Sequence, residues 1–205
     1  MPAIVDHDRR RRDIASAVER LVARKGMQAV TVRAVGAEAG FSSAIVGQYF
    51  KSKENLLTFT YLSARRKATE RVERALIANA DIFSCIRECL PIDAAREAEW
   101  QVWFGFWGMA TANKVLAEER QKGASEANSL FERVLQRGQA TGELPPYVDC
   151  AAQATRLQVF VNGIASIVLQ LPHRWPAAAQ EKALRAEIDL ITATPASVAN
   201  MPSIK

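Results

Sequence analysis

The chain is poor in the residues that build disulfide frameworks and metal centres. Its 205 residues include three cysteines and two histidines, and His7 and His173 are too far apart in the sequence to suggest a metal site. An odd cysteine count without a secretory signal predicts reduced thiols. Cys85 and Cys89 lie four residues apart, a spacing more typical of small buried side chains on one helix face than of metal ligands. The sequence therefore predicts neither a metal nor a cofactor.

Long apolar runs are also missing. No uninterrupted apolar segment reaches the roughly 18 residues that a membrane span needs. Residues 1–13 lack the apolar core of a signal peptide. We therefore expect a cytoplasmic protein without a membrane partner. Glycine and proline number only ten and eight, and alternation of Val, Ile and Thr is rare, so the predicted fold class is all-α.

Positive charge is concentrated at the N-terminal end of the chain. The net charge is +5. Residues 1–56 hold ten lysines and arginines against six acidic residues, whereas the remaining residues hold seventeen against sixteen. A basic segment on a nearly neutral body predicts a local contact with a polyanion.

Helical periodicity and capping residues divide the chain into a series of helices. Gly26 and Gly40 are typical helix stops, and Thr31, Ser42 and Ser52 are typical N-caps. The predicted helices span residues 8–25, 32–39, 43–49, 53–79, 82–90, 94–112, 114–141, 148–171 and 177–192.

The second and third predicted helices have the spacing of a helix-turn-helix, whose second helix enters the major groove of DNA. Gly40 supplies the tight turn, and Ile45, Val46 and Phe50 can pack inward. Gln48 then faces outward, where its amide can pair with an adenine edge. An ordinary helical hairpin with solvated polar faces fits the spacing alone equally well. The residues left to face the groove are Ser42, Ser43, Ala44, Gly47, Gln48 and Tyr49.

Two basic features flank this segment. Lys53 begins the fourth predicted helix, where an ammonium and a helix N-terminus can hold a phosphate together. Upstream, Arg9, Arg10, Arg11 and Arg12 form a continuous run. The run predicts phosphate contacts or an arm in the minor groove, and a solvated helix start is the alternative. Arginines at a helix N-terminus oppose the helix dipole, which favours a nearby polyanion.

The stretch closely resembles the DNA-binding domain of TetR-family transcriptional regulators over residues 10–57. The resemblance rests on Gly26, Thr31, Val32, Val35, the run Ala39–Ser42, Ile45 and the run Tyr49–Leu57, which reads YFKSKENLL. It implies DNA contacts by Thr31, Ser42, Ser43, Ala44, Gln48, Tyr49 and Lys53. The family usually has alanine at the position of Gly36, so we expect glycine to loosen the second helix by up to about 1 kcal/mol. Val46 and Gly47 also depart from the family pattern.

The segment Glu99–Ala110 is rich in aromatic residues. Trp100, Trp103 and Trp107 fall on one helix face, with Phe104 adjacent. One interpretation is an apolar core stripe. The other is an aromatic pocket for a cation, to which Glu97 or Glu99 would add negative charge. The segment also resembles the regulatory domain of BetI-like, choline-responsive repressors, which implies a cationic amine such as choline as a candidate effector.

The TetR resemblance further implies a C-terminal domain that binds a small molecule and dimerises through late helices. Residues 148–171 are apolar on more than one face, as a helix that packs against both its own body and a partner must be. We therefore predict a helix-turn-helix domain at residues 1–56, a helical ligand-binding and dimerisation domain at residues 57–194 and a loose tail at residues 195–205.

The predicted function is a ligand-responsive transcriptional regulator, expected to be a repressor. It would bind palindromic double-stranded DNA as a homodimer and be released by a small-molecule effector. No catalytic constellation is visible in the sequence, so an enzyme is not predicted. The alternatives are a helical ligand-binding protein or an enzyme that does not bind DNA.

Overall fold

A computed structural model describes residues 6–193, and every regular element in that range is helical. The all-α prediction is confirmed. Single 3-10 turns at Met27–Ala29 and Pro172–Arg174 separate some of the α-helices. The helices are α1 His7–Lys25, α2 Val32–Ala39, α3 Ser43–Tyr49, α4 Lys53–Ile77, α5 Ile82–Arg87, α6 Ala94–Ala110, α7 Lys114–Ala140, α8 Cys150–Gln170 and α9 Ala177–Ala193.

The predicted N-caps all hold a helix start. The hydroxyl oxygens of Thr31, Ser42 and Ser52 accept hydrogen bonds from the backbone three residues on, at 3.1, 3.2 and 3.1 Å. Asp6 does the same for α1, since its carboxylate accepts from the Arg9 amide at 2.9 Å. Side-chain caps of this kind satisfy amides that have no partner within the helix.

Most predicted helix bounds lie within one to three residues of those in the structure, and two of the differences have a clear local cause. α5 ends at Arg87 rather than Leu90. The amides of residues 88–90 donate to carbonyls three residues back, so the chain forms tighter turns there instead of an α-helix. Pro91 follows and disfavours helical backbone before it. α8 begins two residues after Val148 because Asp149 is the N-cap and accepts from the Ala152 amide at 3.1 Å.

The helices group into two compact units. The first contains residues 6–70 and 91–124, and the second contains residues 71–90 and 125–193. Two of the three boundaries fall inside α4 and α7, so each of these helices contributes to both units. The predicted division after residue 56 stays a prediction, because the unit that holds the helix-turn-helix also includes α6. The predicted tail at residues 195–205 lies outside the described residues.

The core of the first unit is made by α1 to α4, α6 and the first turn of α7. Its centre includes the stacked rings of Tyr61 and Phe106, whose centroids lie 3.9 Å apart with the ring planes 3° from parallel. This packing joins the helix-turn-helix to the aromatic helix within one core. The buried members are Ile14, Ala17, Val18, Leu21, Val22, Val30, Val35, Val46, Phe50, Leu56, Leu57, Tyr61, Val102, Phe106, Ala110 and Leu116.

The second unit has its own apolar interior, to which α5, α7, α8 and α9 contribute. Ion pairs brace it, among them Arg87 with Glu181 at 2.6 Å and Arg156 with Glu187 at 2.6 Å. Cys85 and Cys150 are buried free thiols, and burial raises the pKa of both. Cys89 is only half-buried, so the expectation of small buried cysteines on one face holds for Cys85 and not fully for its neighbour.

Candidate DNA-binding surface and aromatic helix

The turn between α2 and α3 is set by two glycines. Gly40 ends α2 in the left-handed conformation, with φ 73° and ψ 26°, which glycine adopts without a steric penalty. The amide of Phe41 donates to the carbonyl of Gly36 at 2.8 Å, which closes the helix end. A β-carbon at position 36 would lie 2.8 Å from the Phe41 carbonyl oxygen. Gly36 therefore permits the close approach of the turn, beyond any loosening of α2.

The outer face of α3 is open. Ser42, Ser43, Ala44 and Gln48 are exposed, as is Gly47, where a β-carbon would meet no atom within 4 Å. Val46 and Phe50 are buried, as the pattern predicts. Ile45 is only half-buried, because it lies at the edge of the inward-facing side. The helix thus offers a face of small and polar side chains above an apolar base.

The remaining predicted contacts lie at helix ends around the turn and α3. Thr31 and Lys53 are both exposed. The Thr31 hydroxyl is engaged as the cap of α2, while the ammonium of Lys53 stands at the first residue of α4. Tyr49 is half-buried and packs against the core of the first unit.

The arginine run divides into two pairs. Arg9 and Arg12 are exposed. The guanidinium of Arg11 lies 4.7 Å from the ring centroid of Phe59 and 5.3 Å from that of Phe50. Arg10 lies 5.9 Å from the ring centroid of Phe41. Cation–π contacts of this length hold Arg10 and Arg11 against the helix-turn-helix, so Arg9 and Arg12 are the two members whose charge is freest to meet a polyanion.

An aromatic contact joins the first turn of α1 to the last residue of α3. The rings of His7 and Tyr49 lie 5.6 Å apart, centroid to centroid, at an interplanar angle of 48°. In the sequence His7 stands isolated, because its partner lies far along the chain and the contact leaves no local pattern.

Ion pairs fix α2 against α1. Glu38 of α2 pairs with Arg20 at 3.0 Å and also with Arg24. The hydrogen bond from Arg20, supported by Arg24, lowers the pKa of Glu38. These bonds hold the helix that precedes the turn in place.

The aromatic side chains of α6 form a cluster. Trp100 is 3% exposed, and its ring centroid lies 4.4 Å from that of Trp103, 5.6 Å from that of Phe104 and 6.3 Å from that of Trp107. Phe104 and Trp107 meet edge to face at 5.1 Å. Trp103, Phe104 and Trp107 are only half-buried. The four rings predicted to share a site do lie together.

Two further features of this cluster bear on its chemistry. The guanidinium of Arg120 lies 5.2 Å from the centroid of the Trp107 ring, so a cation already occupies that ring face. The indole N–H of Trp103 is enclosed and has no hydrogen-bond acceptor within the part of the chain that the structure describes. The packing of the rings against one another fits an apolar core stripe, whereas their partial exposure and the unused N–H donor fit the lining of a ligand pocket.

Acidic side chains near the aromatic helix face inward. Glu99 is 4% exposed. Glu19 of α1 accepts a hydrogen bond from the Lys67 ammonium at 2.6 Å. Burial raises the pKa of Glu19, and the negative charge of Glu99 adds to that rise, while Lys67 opposes it. The expectation that Glu99 adds charge to a pocket stays a prediction; in the structure its charge is felt by Glu19.

A small crevice lies in the second unit, with room for about one water molecule. Its polar groups are used internally, since Arg137 donates to the Leu76 carbonyl at 3.0 Å and Glu143 accepts from the Ile82 amide at 2.8 Å. The lining residues are Leu76, Ala80, Ile82, Cys85, Val134, Arg137, Gly138, Thr141 and Glu143. We assign no ligand to it.

The last two helices expose apolar side chains away from the interior of the second unit. On α8, Val159 is 68% exposed and Ile167 is 37% exposed, with exposed Gly163 between them at four-residue spacing. A β-carbon at Gly163 would meet nothing within 4 Å. On α9, Leu190 is 57% exposed. These residues form one apolar stripe on α8 and a single large apolar side chain on α9.

Two other kinds of site are absent from residues 6–193. No group of histidine, cysteine, aspartate and glutamate side chains in that range could hold a metal ion. No helix in that range is both long enough and apolar enough to cross a membrane.

Both parts of the chain match known protein families. Residues 14–58 match the bacterial regulatory proteins of the tetR family. Residues 78–193 match the family described as BetI-type transcriptional repressor, C-terminal, which covers more than half of the chain. The first match covers most of the segment 10–57, and the second includes the aromatic segment Glu99–Ala110, the two segments in which the sequence resembles these families.

Individual relatives agree with these families. The HTH-type transcriptional regulator PksA of Bacillus subtilis (strain 168) is 27% identical over 169 residues, which cover 80% of this chain and 81% of PksA. The structure of a transcriptional regulator from Rhodococcus sp. Rha1 has a TM-score of 0.74 at 25% identity and covers 90% of this chain and 99% of its own.

A third relative is a transcriptional regulator from Saccharomonospora viridis whose crystal structure is a complex with choline. It has a TM-score of 0.77 at 24% identity and covers 89% of this chain and 96% of its own. At this identity the likeness establishes the fold. The two family matches and the relative PksA show the family. The chain belongs to the TetR family of transcriptional regulators, with a DNA-binding helix-turn-helix and a BetI-type C-terminal domain.

Proposed function

We propose that this regulator is a repressor that binds a palindromic operator as a homodimer and is released by a small-molecule effector. The observation that carries the proposal is the open face of α3, on which small and polar side chains stand above a buried apolar base. Such a face admits base edges and phosphates while the helix stays anchored.

The residues of this face divide into two roles. Gln48 has a bidentate amide and an exposed position, so it reads a base edge. Lys53 and Tyr49 stand at the α3–α4 junction, where they contact phosphates, as does Thr31 at the start of α2. Ser42, Ser43 and Ala44 form the first turn of α3, and their small side chains let the DNA backbone approach. Arg9 and Arg12 add sequence-independent attraction, to which Arg10 and Arg11 contribute less because aromatic rings hold them.

Dimerisation is proposed through α8 and α9. The exposed stripe of Val159, Gly163 and Ile167 is too apolar for a helix face in water, and Gly163 allows a partner helix to approach closely. A symmetric pair of subunits explains why the operator would be palindromic, because each subunit presents its α3 to one half-site.

The proposed effector is a cationic amine, with choline as the first candidate. The aromatic cluster on α6 supports this class of ligand because the face of Trp107 already accepts a guanidinium. The enclosed N–H of Trp103 can donate to an oxygen of the ligand. The choline complex of the Saccharomonospora viridis regulator points to the same class. An ammonium ligand would displace Arg120 from Trp107 and thereby change the surroundings of α7.

The test of DNA binding is selection from a random duplex pool with the purified protein, followed by salt titration on the selected duplex. The proposal expects a two-fold symmetric motif and an affinity that falls steeply with salt. Enrichment of an asymmetric sequence, or of none, would contradict it.

The effector is tested by thermal shift with choline, betaine and polyamines on the wild type, on Trp103→Phe and on Trp107→Phe. Choline should raise the melting temperature of the wild type, dissociate it from the selected duplex and act less on both variants. Arg120→Gln should bind choline more tightly, since it removes the competing guanidinium. A neutral or anionic compound that releases the protein while no cation does would overturn the effector class and leave the DNA assignment intact.

A further inference from the structure

The first turn of α1 lies beside the recognition helix. The His7 ring contacts Tyr49, the last residue of α3, with centroids 5.6 Å apart. His7 is exposed, so its ring has both a packed side and a side open to solvent. The structure thus continues the proposed DNA surface of α3 onto α1, at a residue that no DNA contact has been assigned to.

We propose that His7 is a phosphate contact of the operator complex, and that its protonation adjusts the affinity for DNA. This inference rests on the proposed DNA-binding function. Tyr49, at the end of α3, is a proposed phosphate contact, and a ring within contact distance of Tyr49 lies within reach of the same DNA strand. Imidazole is the side chain whose charge changes between pH 5 and 8.

The charged groups around His7 determine how a positive charge on its ring would affect a nearby phosphate. Asp6 and Asp8 flank it on α1, and Arg10 and Arg11 lie one turn further along; Tyr49 faces it from α3. The Asp6 carboxylate is engaged with the Arg9 amide, and Arg11 is held against Phe50 and Phe59. Protonated His7 therefore adds a positive charge where two carboxylates would otherwise repel phosphate.

The experiment measures duplex binding by fluorescence anisotropy from about 50 to about 200 mM salt. It is carried out near pH 8 and near pH 5.5. The duplexes are the one selected by the wild type and a random-sequence duplex, because a phosphate contact does not depend on sequence. The variants are His7→Gln, His7→Phe and His7→Arg, and His173→Gln is the matched control at the other histidine.

For the wild type, log affinity against log salt should be steeper at the lower pH by about one per subunit. His7→Gln and His7→Phe should lose this change, and His7→Arg should show the steeper slope at both pH values. His173→Gln should behave as the wild type. Every His7 variant keeps the other groups that titrate in this range, so their contributions cancel in the comparison.

His7→Phe separates a phosphate contact from simple ring packing, since it keeps an aromatic ring against Tyr49 without a charge. If His7→Phe binds with the wild-type slope at both pH values, the contact is packing alone and the inference is overturned. A wild-type slope that does not change with pH, on a duplex bound tightly, overturns the inference while the proposed function stands. Absence of duplex binding by the wild type at any salt overturns both.

Discussion

The side chain of Met27 lies over Gly105, in the space that a β-carbon at position 105 would occupy. Met27 belongs to the 3-10 turn after α1, and Gly105 lies in the middle of the aromatic helix α6. Glycine at this position is therefore a packing requirement of the first unit, because it lets the 3-10 turn after α1 pack directly on α6.

The free energy of unfolding should show this relationship between Met27 and Gly105. Gly108 of the same helix has nothing within 4 Å of a β-carbon, so Gly108→Ala should stabilise the protein by about 0.5–1 kcal/mol through helix propensity. Gly105→Ala should gain less or lose stability, because the Met27 methyl must move. In a Met27→Ala background, Gly105→Ala should recover the gain seen at Gly108. Urea unfolding of the four variants measures the coupling, and additive effects would contradict it.

Gly36 gives a second test of close packing, in which the obstructing atom is backbone. Gly36→Val places side-chain atoms against the Phe41 carbonyl, so it should lower the free energy of unfolding by about 1–3 kcal/mol. Gly47→Val is the matched control, since that position is open. Equal melting temperatures for the two variants would show that the Phe41 carbonyl can move aside without loss of stability, which would contradict the prediction.

The proposed base reading by Gln48 and the proposed phosphate contact by Lys53 can be tested separately. Gln48→Ala should relax the preference at one base pair of each half-site, by about 1–3 kcal/mol. Lys53→Ala should weaken binding to every sequence alike and reduce the salt slope by about one per subunit. Sequence profiles from the selection assay measure the first effect and salt titration measures the second. A Gln48→Ala profile identical to that of the wild type would remove Gln48 from base recognition.

Local chemistry made the helix-turn-helix predictable. Thr31, Ser42 and Ser52 cap the helices they precede, and Gly40 adopts the left-handed backbone that its position requires. Each of these assignments depends on bonds that span three to five residues, so the sequence around the position contains the information. The same holds for the three tryptophans of α6, whose spacing alone places them on one face.

Contacts between distant residues were not predictable. Arg11 stands in a run of four identical side chains, and only the fold shows that Phe50 and Phe59 hold it. His7 meets Tyr49, and Met27 meets Gly105, across separations that leave no periodic signal. The packing role of Gly36 was missed for the same reason: helix propensity is local, whereas the Phe41 carbonyl approaches Gly36 only once the turn has formed.

The largely buried carboxylate of Glu19 should make stability depend on pH. Burial raises its pKa, with Glu99 adding to the rise and Lys67 opposing it. A carboxyl group whose pKa is raised on folding contributes stability below its unfolded pKa, and that contribution is lost as pH rises through the folded pKa. Glutamine at position 19 stays neutral at every pH, whereas the carboxyl of the wild type ionises as pH rises. The free energy of unfolding of Glu19→Gln minus that of the wild type should therefore increase from about pH 4 to about pH 7. Urea unfolding at both pH values measures it.

The control for Glu19→Gln is Glu70→Gln, which removes one carboxylate from an exposed pair with Arg66. The comparison subtracts the general effect of losing a negative charge. If Glu19→Gln loses stability relative to the wild type as pH rises, the ion pair with Lys67 outweighs the cost of burial, and the predicted direction of the pH dependence is wrong.

The exposed stripe on α8 predicts how the proposed homodimer can be dissociated without unfolding the subunit. Gly163 is exposed, with no atom within 4 Å of a β-carbon, and it lies between Val159 and Ile167. Gly163→Arg should therefore leave the melting of the subunit interior intact, while a guanidinium in an apolar interface has no partner and prevents association. Light scattering at micromolar concentration should change from dimer to monomer, and affinity for a palindromic duplex should fall with it, because one half-site then binds alone. Gly108→Arg introduces the same charge at an equally open position of α6 and should stay dimeric. A dimeric Gly163→Arg variant with wild-type DNA affinity would move the interface away from α8, whereas a wild type that is already monomeric would remove the homodimer from the proposed function.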